Sequence, residues 1–272
     1  MSIASRAKSL IPRSVDNLQF MWNLFVVSCI MKFRLMTYNI HKGIGGVDRR
    51  YRPQRIVDAI GHYDPDVVLL QEVDDGVPRS NRHRQVDLLG EALEFPHRAF
   101  QANVKLTRGH YGNGILSRFP ISDVRHLDLT VPLKKRRQAL IASCHIHHKG
   151  HSRTVKVFNF HLGLAGYERR MQIRRFLQSD VLVHTHHDTA VVAGGDFNDV
   201  WDTLGKQLLQ PAGFLPTSGP IKTFPAMLPM RPLDRVYYRG GIKSVHCFVC
   251  RSKITHQASD HRPLIVDFEV LI

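Results

Sequence analysis

Short apolar runs bounded by glycine, proline or Asx turns recur along the chain. Phe33–Ile40 reads as a strand rich in large side chains, and Val67–Leu70 as a buried strand running into Gln71 and Glu72. Tyr111–Ser117 enters from a glycine turn, Ala139–His147 and Thr154–Phe160 read as a strand pair, and Val191–Ala193 ends in Gly194 and Gly195. Leu233–Tyr238 and Leu264–Val270 complete the strands. Helical spacing appears over Pro53–Tyr63, where Ile56, Val57 and Ile60 share a face, and from Gln85 to about Glu94. It appears again over Gly166–His184, with Ile173, Phe176, Leu177 and Val181 on one face and Arg170 and Arg174 on another. Val200–Leu209 reads as a further helix. Strands and helices alternate irregularly, which points to sheets packed face to face with helices outside.

Residues 1–31 break this pattern. A polar basic segment leads into Phe20–Met31, where only Asn23 and Ser28 interrupt the apolar character, and the run is too short for a comfortable membrane span. Val26–Cys29 loosely resembles a lipoprotein cleavage box, but Cys29 would have almost no tether before the first core strand. Met31, followed at once by Lys32–Leu35, offers an alternative start. The expectation is an N-terminal extension over residues 1–31, whether dispensable, signal-like or a misassigned start, and one folded domain over residues 32–272.

Composition changes this picture in one respect. The 272 residues carry a net charge of +15, of which residues 1–32 hold only a small part. Such an excess favours polyanionic partners: nucleic acid, an anionic membrane or a phosphorylated substrate. Four cysteines do not make a disulfide scaffold in a chain this long. Cys247 and Cys250 stand at i and i+3 of an apolar run, on opposite faces if it is a strand, which argues against a shared metal or a redox pair. His184, His186 and His187 are expected to cap the preceding helix rather than to hold zinc.

The candidate chemistry lies at strand ends. Asp196 and Asn198, two residues apart after the glycine pair, can reach one point, while Phe197 between them turns to a core. A strand ending in an Asx turn has the same local pattern. Glu72 follows an apolar strand, where a carboxylate either reaches solvent or is paired or bound to a metal. Asn39, His161, Asp234, Asp260 and His261 likewise fall where a strand begins or ends. Arg79, Arg82 and Arg84 lie in one polar loop, and Lys134–Arg137 form a basic run that is either a solvated rim or a phosphate contact.

Taken in order, Thr37-Tyr38-Asn39, Leu70-Gln71-Glu72-Val73, Asn159-Phe160-His161, Gly195-Asp196-Phe197-Asn198, Leu233-Asp234-Arg235-Val236 and Ser259-Asp260-His261-Arg262-Pro263 resemble the endonuclease/exonuclease/phosphatase superfamily. That superfamily includes pancreatic deoxyribonuclease, exonuclease III-like repair nucleases, neutral sphingomyelinases and inositol-polyphosphate phosphatases. Tyr38–Gly43 and Tyr111-Gly112-Asn113 look most like an uncharacterised bacterial subgroup of it. The resemblance implies a four-layered α/β sandwich, two packed and mainly antiparallel sheets flanked by helices, with strand ends forming one mouth. It implies a metal site of Glu72, Asn39 and Asp260, an oxygen set suited to Mg²⁺ or Mn²⁺. Asp196 would orient or deprotonate the attacking water, and Asn198 would bond a phosphoryl oxygen or that water. His261, held by Asp234, would contact the phosphate, and His161 would donate to the phosphoryl group or leaving oxygen. Whether Asp196 or His261 is the base stays open at this point.

The implied activity is hydrolysis of phosphodiester bonds, in the first place of nucleic acid. A phospholipid- or sphingomyelin-type phosphodiesterase or phosphatase at an anionic membrane is the alternative, and a non-catalytic binding protein on the same fold is a second. A cytoplasmic monomer is expected, with membrane association as the alternative.

Overall fold

A computed structural model describes residues 30–148 and 150–271. Twelve strands form among them: β1 (Ile30–Asn39), β2 (Val67–Asp75), β3 (His97–Lys105), β4 (His110–Ser117), β5 (Ile121–Asp128), β6 (Gln138–His148), β7 (His151–His161), β8 (Ala190–Asp196), β9 (Leu215–Pro216), β10 (Asp234–Arg239), β11 (Ile242–Val249) and β12 (Leu264–Leu271). The helices are α1 (Pro53–Gly61), α2 (Gln85–Ala92), α3 (Gly166–Leu177), α4 (Asp180–Val183) and α5 (Lys253–Ala258). One six-stranded sheet runs β11-β12-β1-β2-β4-β3 and the other β5-β6-β7-β8-β10-β9. Each is antiparallel except for one central parallel pair, β1 with β2 and β7 with β8.

The central strands lack a polar face because both of their faces are covered. Leu35, Leu69, Val157, Val192 and Val236 meet in the core between the sheets. Their neighbours point the other way. Met36, Tyr38, Val68 and Leu70 pack with Ile56, Ile60 and Leu89 beneath α1 and α2. Phe158, Phe160, Val191 and Phe197 pack with Ile173 and Phe176 beneath α3. Three cores between four layers make the expected α/β sandwich. Cys247 packs against the inter-sheet core and Cys250 lies in the outer one, so the two thiols face apart as read from the sequence.

Local expectations fare unevenly. The helix expected over Gly166–His184 breaks at Ser179, whose backbone is extended and whose Oγ donates to the Phe176 carbonyl at 2.7 Å. That side-chain bond offers the backbone an alternative to continuing the helix. The helix expected over Val200–Leu209 shrinks to a single wide turn at Gly205–Leu209, with the Asp199 carboxylate accepting from the Leu204 amide at 2.7 Å. His184 does cap, donating to the Asp180 carbonyl, whereas His186 and His187 form an exposed cluster with Asp188. Residues 1–29 of the expected extension lie outside the described residues. Ile30 and Met31 open β1, and Met31 is fully buried opposite Val270. No helix among the described residues is long and apolar enough to cross a membrane.

A polar network joins the two sheets beneath the mouth. The Asn159 amide donates to the carbonyls of Leu70 and Gly114, both at 2.8 Å, and its oxygen accepts from Gln71 Nε2 at 2.7 Å. Gln71 also reaches Thr37 Oγ1 at 3.1 Å. All of these side chains are buried. Asn159→Ala would leave two buried carbonyls without their donor, each worth about 1–3 kcal/mol. The expected result is an unfolding free energy lowered by that order, read as a lower urea midpoint with the denaturant slope unchanged in equilibrium unfolding.

Candidate active site

The parallel pairing of β7 with β8 sets His161 opposite Asp196, and the antiparallel pairing of β8 with β10 sets Asp234 on the other side of Asp196. Three residues far apart in sequence thus form one row across the second sheet. In the first sheet, β1 ends at Asn39 beside Gln71. The loop entering β12 brings Asp260 and His261, and Ser259 fastens it to β1 by donating to the Asn39 carbonyl at 2.7 Å. Asn39 Nδ2 crosses between the sheets to Asp196 Oδ2 at 3.1 Å. The eight residues singled out in the sequence therefore converge on one mouth, and all but Asp234, which stands behind His261, line a cavity of about 780 Å³.

Two features of backbone geometry aim these side chains. Gly195 has φ +141°, and a Cβ there would lie 2.1 Å from the Phe160 carbonyl oxygen, so the close approach of β7 and β8 requires glycine. Glu72 does not end its strand, as the sequence suggested. It sits at a bulge inside β2, where pairing with β4 jumps from Leu70 to Val73, and it takes a left-handed φ of +57°. The bulge turns one carboxylate out of the strand's alternation and into the mouth.

The local charges are strongly partitioned. Burial pulls the His261 imidazole toward neutrality, but the Asp234 carboxylate, 2.8 Å from Nδ1, outweighs it, and Asp196 and Asp260 add to that; its pKa is raised to about 10. His161 goes the other way. Burial and the Arg137 guanidinium lower it to about 4 against the pull of Asp196 and Glu72, so it is neutral near pH 7. Its Nε2 lies 3.8 Å from Asp196 and 4.0 Å from Glu72. Burial pushes the Glu72 carboxyl up, yet the His161 imidazole, charged at low pH, and the Lys42 ammonium hold it down at about 2. Lys42 Nζ touches Glu72 Oε2 directly. Burial raises the Asp196 pKa, against the pull of both imidazoles. Asp196 Oδ1 accepts from the Asn198 amide at 3.0 Å, the Asx turn expected from the local sequence, and Asn198 Nδ2 donates to the Leu162 carbonyl at 3.0 Å.

Several residues on this cavity were not among the eight candidate site residues. Lys42 and Tyr111 flank Glu72, and burial together with the Glu72 charge keeps the Tyr111 phenol protonated. Phe224 lies with its ring centre 4.9 Å from that of His261. Asn103 occupies a second bulge, where β3–β4 pairing jumps from Ala102 to Val104, and both of its buried amide atoms lack a partner. A bulge depends on cross-strand register, which no local pattern records. Of the basic run, Lys135, Arg136 and Arg137 line the cavity, and Arg137 is buried with its Nε unpartnered. Buried polar atoms left unpaired at a cavity are places for a ligand to bond.

The arrangement combines an ionised carboxylate, a buried carboxylate of raised pKa, an imidazolium and a neutral imidazole with a cationic wall, all at one opening. The chain is 28% identical over 250 residues to the uncharacterized protein YbhP of Escherichia coli K12, covering 88% of this chain and 96% of YbhP. The structure of an endonuclease/exonuclease/phosphatase from Beutenbergia cavernae superposes with a TM-score of 0.73 at 23% identity, covering 88% of this chain and 72% of that one. D. rerio TDP2 complexed with single strand DNA product superposes at 0.64 with 19% identity, covering 87% and 98%. Likeness at such identities carries the fold alone. The sequence pattern of the Endonuclease/Exonuclease/phosphatase family matches residues 36–261, and the chain belongs to that family.

Proposed function

We propose that the chain is a hydrolase of phosphodiester bonds that depends on a divalent metal ion, with Asp196 as the base. The observation that carries this reading is the position of Asp196, between a charged His261 and a neutral His161, each within 3.9 Å. A carboxylate of raised pKa is a better proton acceptor at neutral pH than an ordinary one. An imidazolium held charged to about pH 10 is a poor base but a good phosphate ligand. The geometry therefore supports Asp196 orienting the attacking water and receiving its proton. His261 binds a phosphoryl oxygen, Asn198 bonds that oxygen or the water, and His161 donates to the leaving oxygen.

The donors fit a hard cation. Glu72 offers an ionised carboxylate, Asp260 a second carboxylate and Asn39 an amide oxygen, and all three open on the same cavity. This set would hold Mg²⁺ or Mn²⁺, which supplies charge neutralisation on the phosphoryl and leaving oxygens when bound. Lys42, already against Glu72, contributes positive charge to the same spot. Lys105, Arg136, Arg137 and Arg231 on the walls suit phosphates flanking the scissile one. A nucleic-acid backbone meets that requirement, and TDP2, which shares the fold, binds a single-strand DNA product. An anionic lipid headgroup meets it too.

Hydrolysis of bis-p-nitrophenyl phosphate should stop in EDTA and return with Mg²⁺ or Mn²⁺. Glu72→Gln should raise the metal concentration for half-maximal rate as well as lowering the rate. Full activity in EDTA would remove this mechanism.

The Asp234–His261 contact should behave as a unit. His261→Ala is expected to lower kcat by about a hundredfold or more, and adding Asp234→Ala should cost little beyond that. In Asp234→Asn, burial acts on the imidazole without its main opposing charge, so the pKa falls. The alkaline limb of the pH–rate profile should move down by about 1–3 pH units. An unmoved limb, or additive losses in the double-mutant cycle, would show that the pair does not act together.

A further inference from the structure

The loops around the mouth hold apolar side chains in water. Leu133, between β5 and β6, is fully exposed and takes a left-handed φ of +63°. Exposed Lys134, Lys135 and Arg136 follow immediately. Between β7 and α3, Leu164 is 77% exposed at the edge of the cavity, and the neighbouring Tyr167 ring lies 5.3 Å from Lys134 Nζ. A third loop turns back between Phe224 and Arg231, which are paired by a bridge. Its tip presents Met227, Leu228 and Met230, exposed by 65%, 69% and 64%.

This last turn is tied to the catalytic floor. The Ala226 amide donates to the Asp260 carbonyl at 2.7 Å, and Arg262 Nε donates to the Ala226 carbonyl at 2.6 Å. Phe224 at its base lines the cavity beside His261. Whatever the tip touches is thereby held in register with the mouth.

Scattered exposed leucines are ordinary on a soluble surface. Here they cap three loops around one opening and are interleaved with cations. The chemistry of the tips separates the two polyanions that the walls accept. Single-stranded nucleic acid is gripped by flat aromatic rings on which bases stack. The leucine and methionine tips offer no such face, and the exposed Tyr167 ring beside them already faces Lys134 Nζ and suits the headgroup level of a bilayer as well as a base. Aliphatic side chains flanked by lysine and arginine suit the interface of an anionic bilayer, the former entering the acyl boundary and the latter meeting the headgroups.

We propose that this rim is a docking surface for an anionic phospholipid bilayer, which brings headgroup phosphodiesters to the mouth. The proposal rests on the reading of the cavity as a phosphodiester-hydrolysing site. Vesicle sedimentation tests it, with the full chain mixed with phosphatidylglycerol–phosphatidylcholine vesicles or with phosphatidylcholine alone. The protein should pellet with the anionic vesicles and be released in part by high salt. Leu133→Ser combined with Leu228→Ser changes two tips that do not line the cavity. This variant should partition about tenfold or more weakly, while unfolding cooperatively and hydrolysing soluble bis-p-nitrophenyl phosphate at the parental rate. Absence of vesicle binding by the parent chain would overturn the proposal. So would binding that survives both substitutions, which would place the contact elsewhere in the chain. Retention of a single-stranded oligonucleotide that the same substitutions abolish would assign the rim to nucleic acid instead. The soluble ester needs no surface, so its hydrolysis reports on the active site separately from the docking.

Discussion

The site depends on one buried amide. Asn159 stands in β7, yet it bonds carbonyls of β2 and β4 on the facing sheet, next to the bulge that turns Glu72 inward. A bulge interrupts ladder pairing, and the polar groups around it need partners in a place water does not reach. Asn159 supplies them, and its oxygen takes the Gln71 amide in return. The contact thus does two things at once. It makes an irregular strand tolerable inside a dry core, and it fixes the spacing of the sheets whose ends carry the functional groups. Asn39 reaching Asp196 repeats the cross-sheet link one layer nearer the mouth.

From that spacing follows the distribution of charge. Two imidazoles lie at similar distances from the same carboxylate, but their own neighbours drive them to opposite states. Asp234 is in direct contact with His261, whereas Arg137 and burial bear on His161. Two histidines that look equivalent in a chain therefore stand as a cation and a neutral imidazole. Lys42 balances Glu72 in the same way, since even a partly buried ionised carboxylate is favoured by a cation beside it.

Part of the backbone strain lies where this chemistry is arranged: of the twelve non-glycine residues with positive φ among the described residues, His41, Lys42, Glu72 and Asn198 stand at or beside the mouth. Such conformations persist only where packing over-determines them. The doubly covered central strands provide that packing, with apolar side chains filling the space on both faces.

Much of this could be read from the chain itself. Apolar runs too short for helices mark the central strands because burial on both faces leaves no polar alternation, and that reading survives in β1, β2 and β8. The eight candidate residues were named at turns and strand ends, where polar side chains can leave a core, and seven of them stand there; Glu72 reaches the mouth from inside β2 instead. Helix lengths were less legible. Ser179 and Asp199 redirect the backbone through side-chain bonds that periodicity does not register. What only the tertiary structure decided is everything that depends on register between distant strands. The bulges at Glu72 and Asn103 belong to pairs of strands, and Lys42, Tyr111 and Arg137 become part of the site through the meeting of separate segments. The different protonation states of His161 and His261 likewise come from neighbours tens of residues away. A side chain's type is a property of the sequence, whereas its protonation and its aim are properties of what the fold puts beside it.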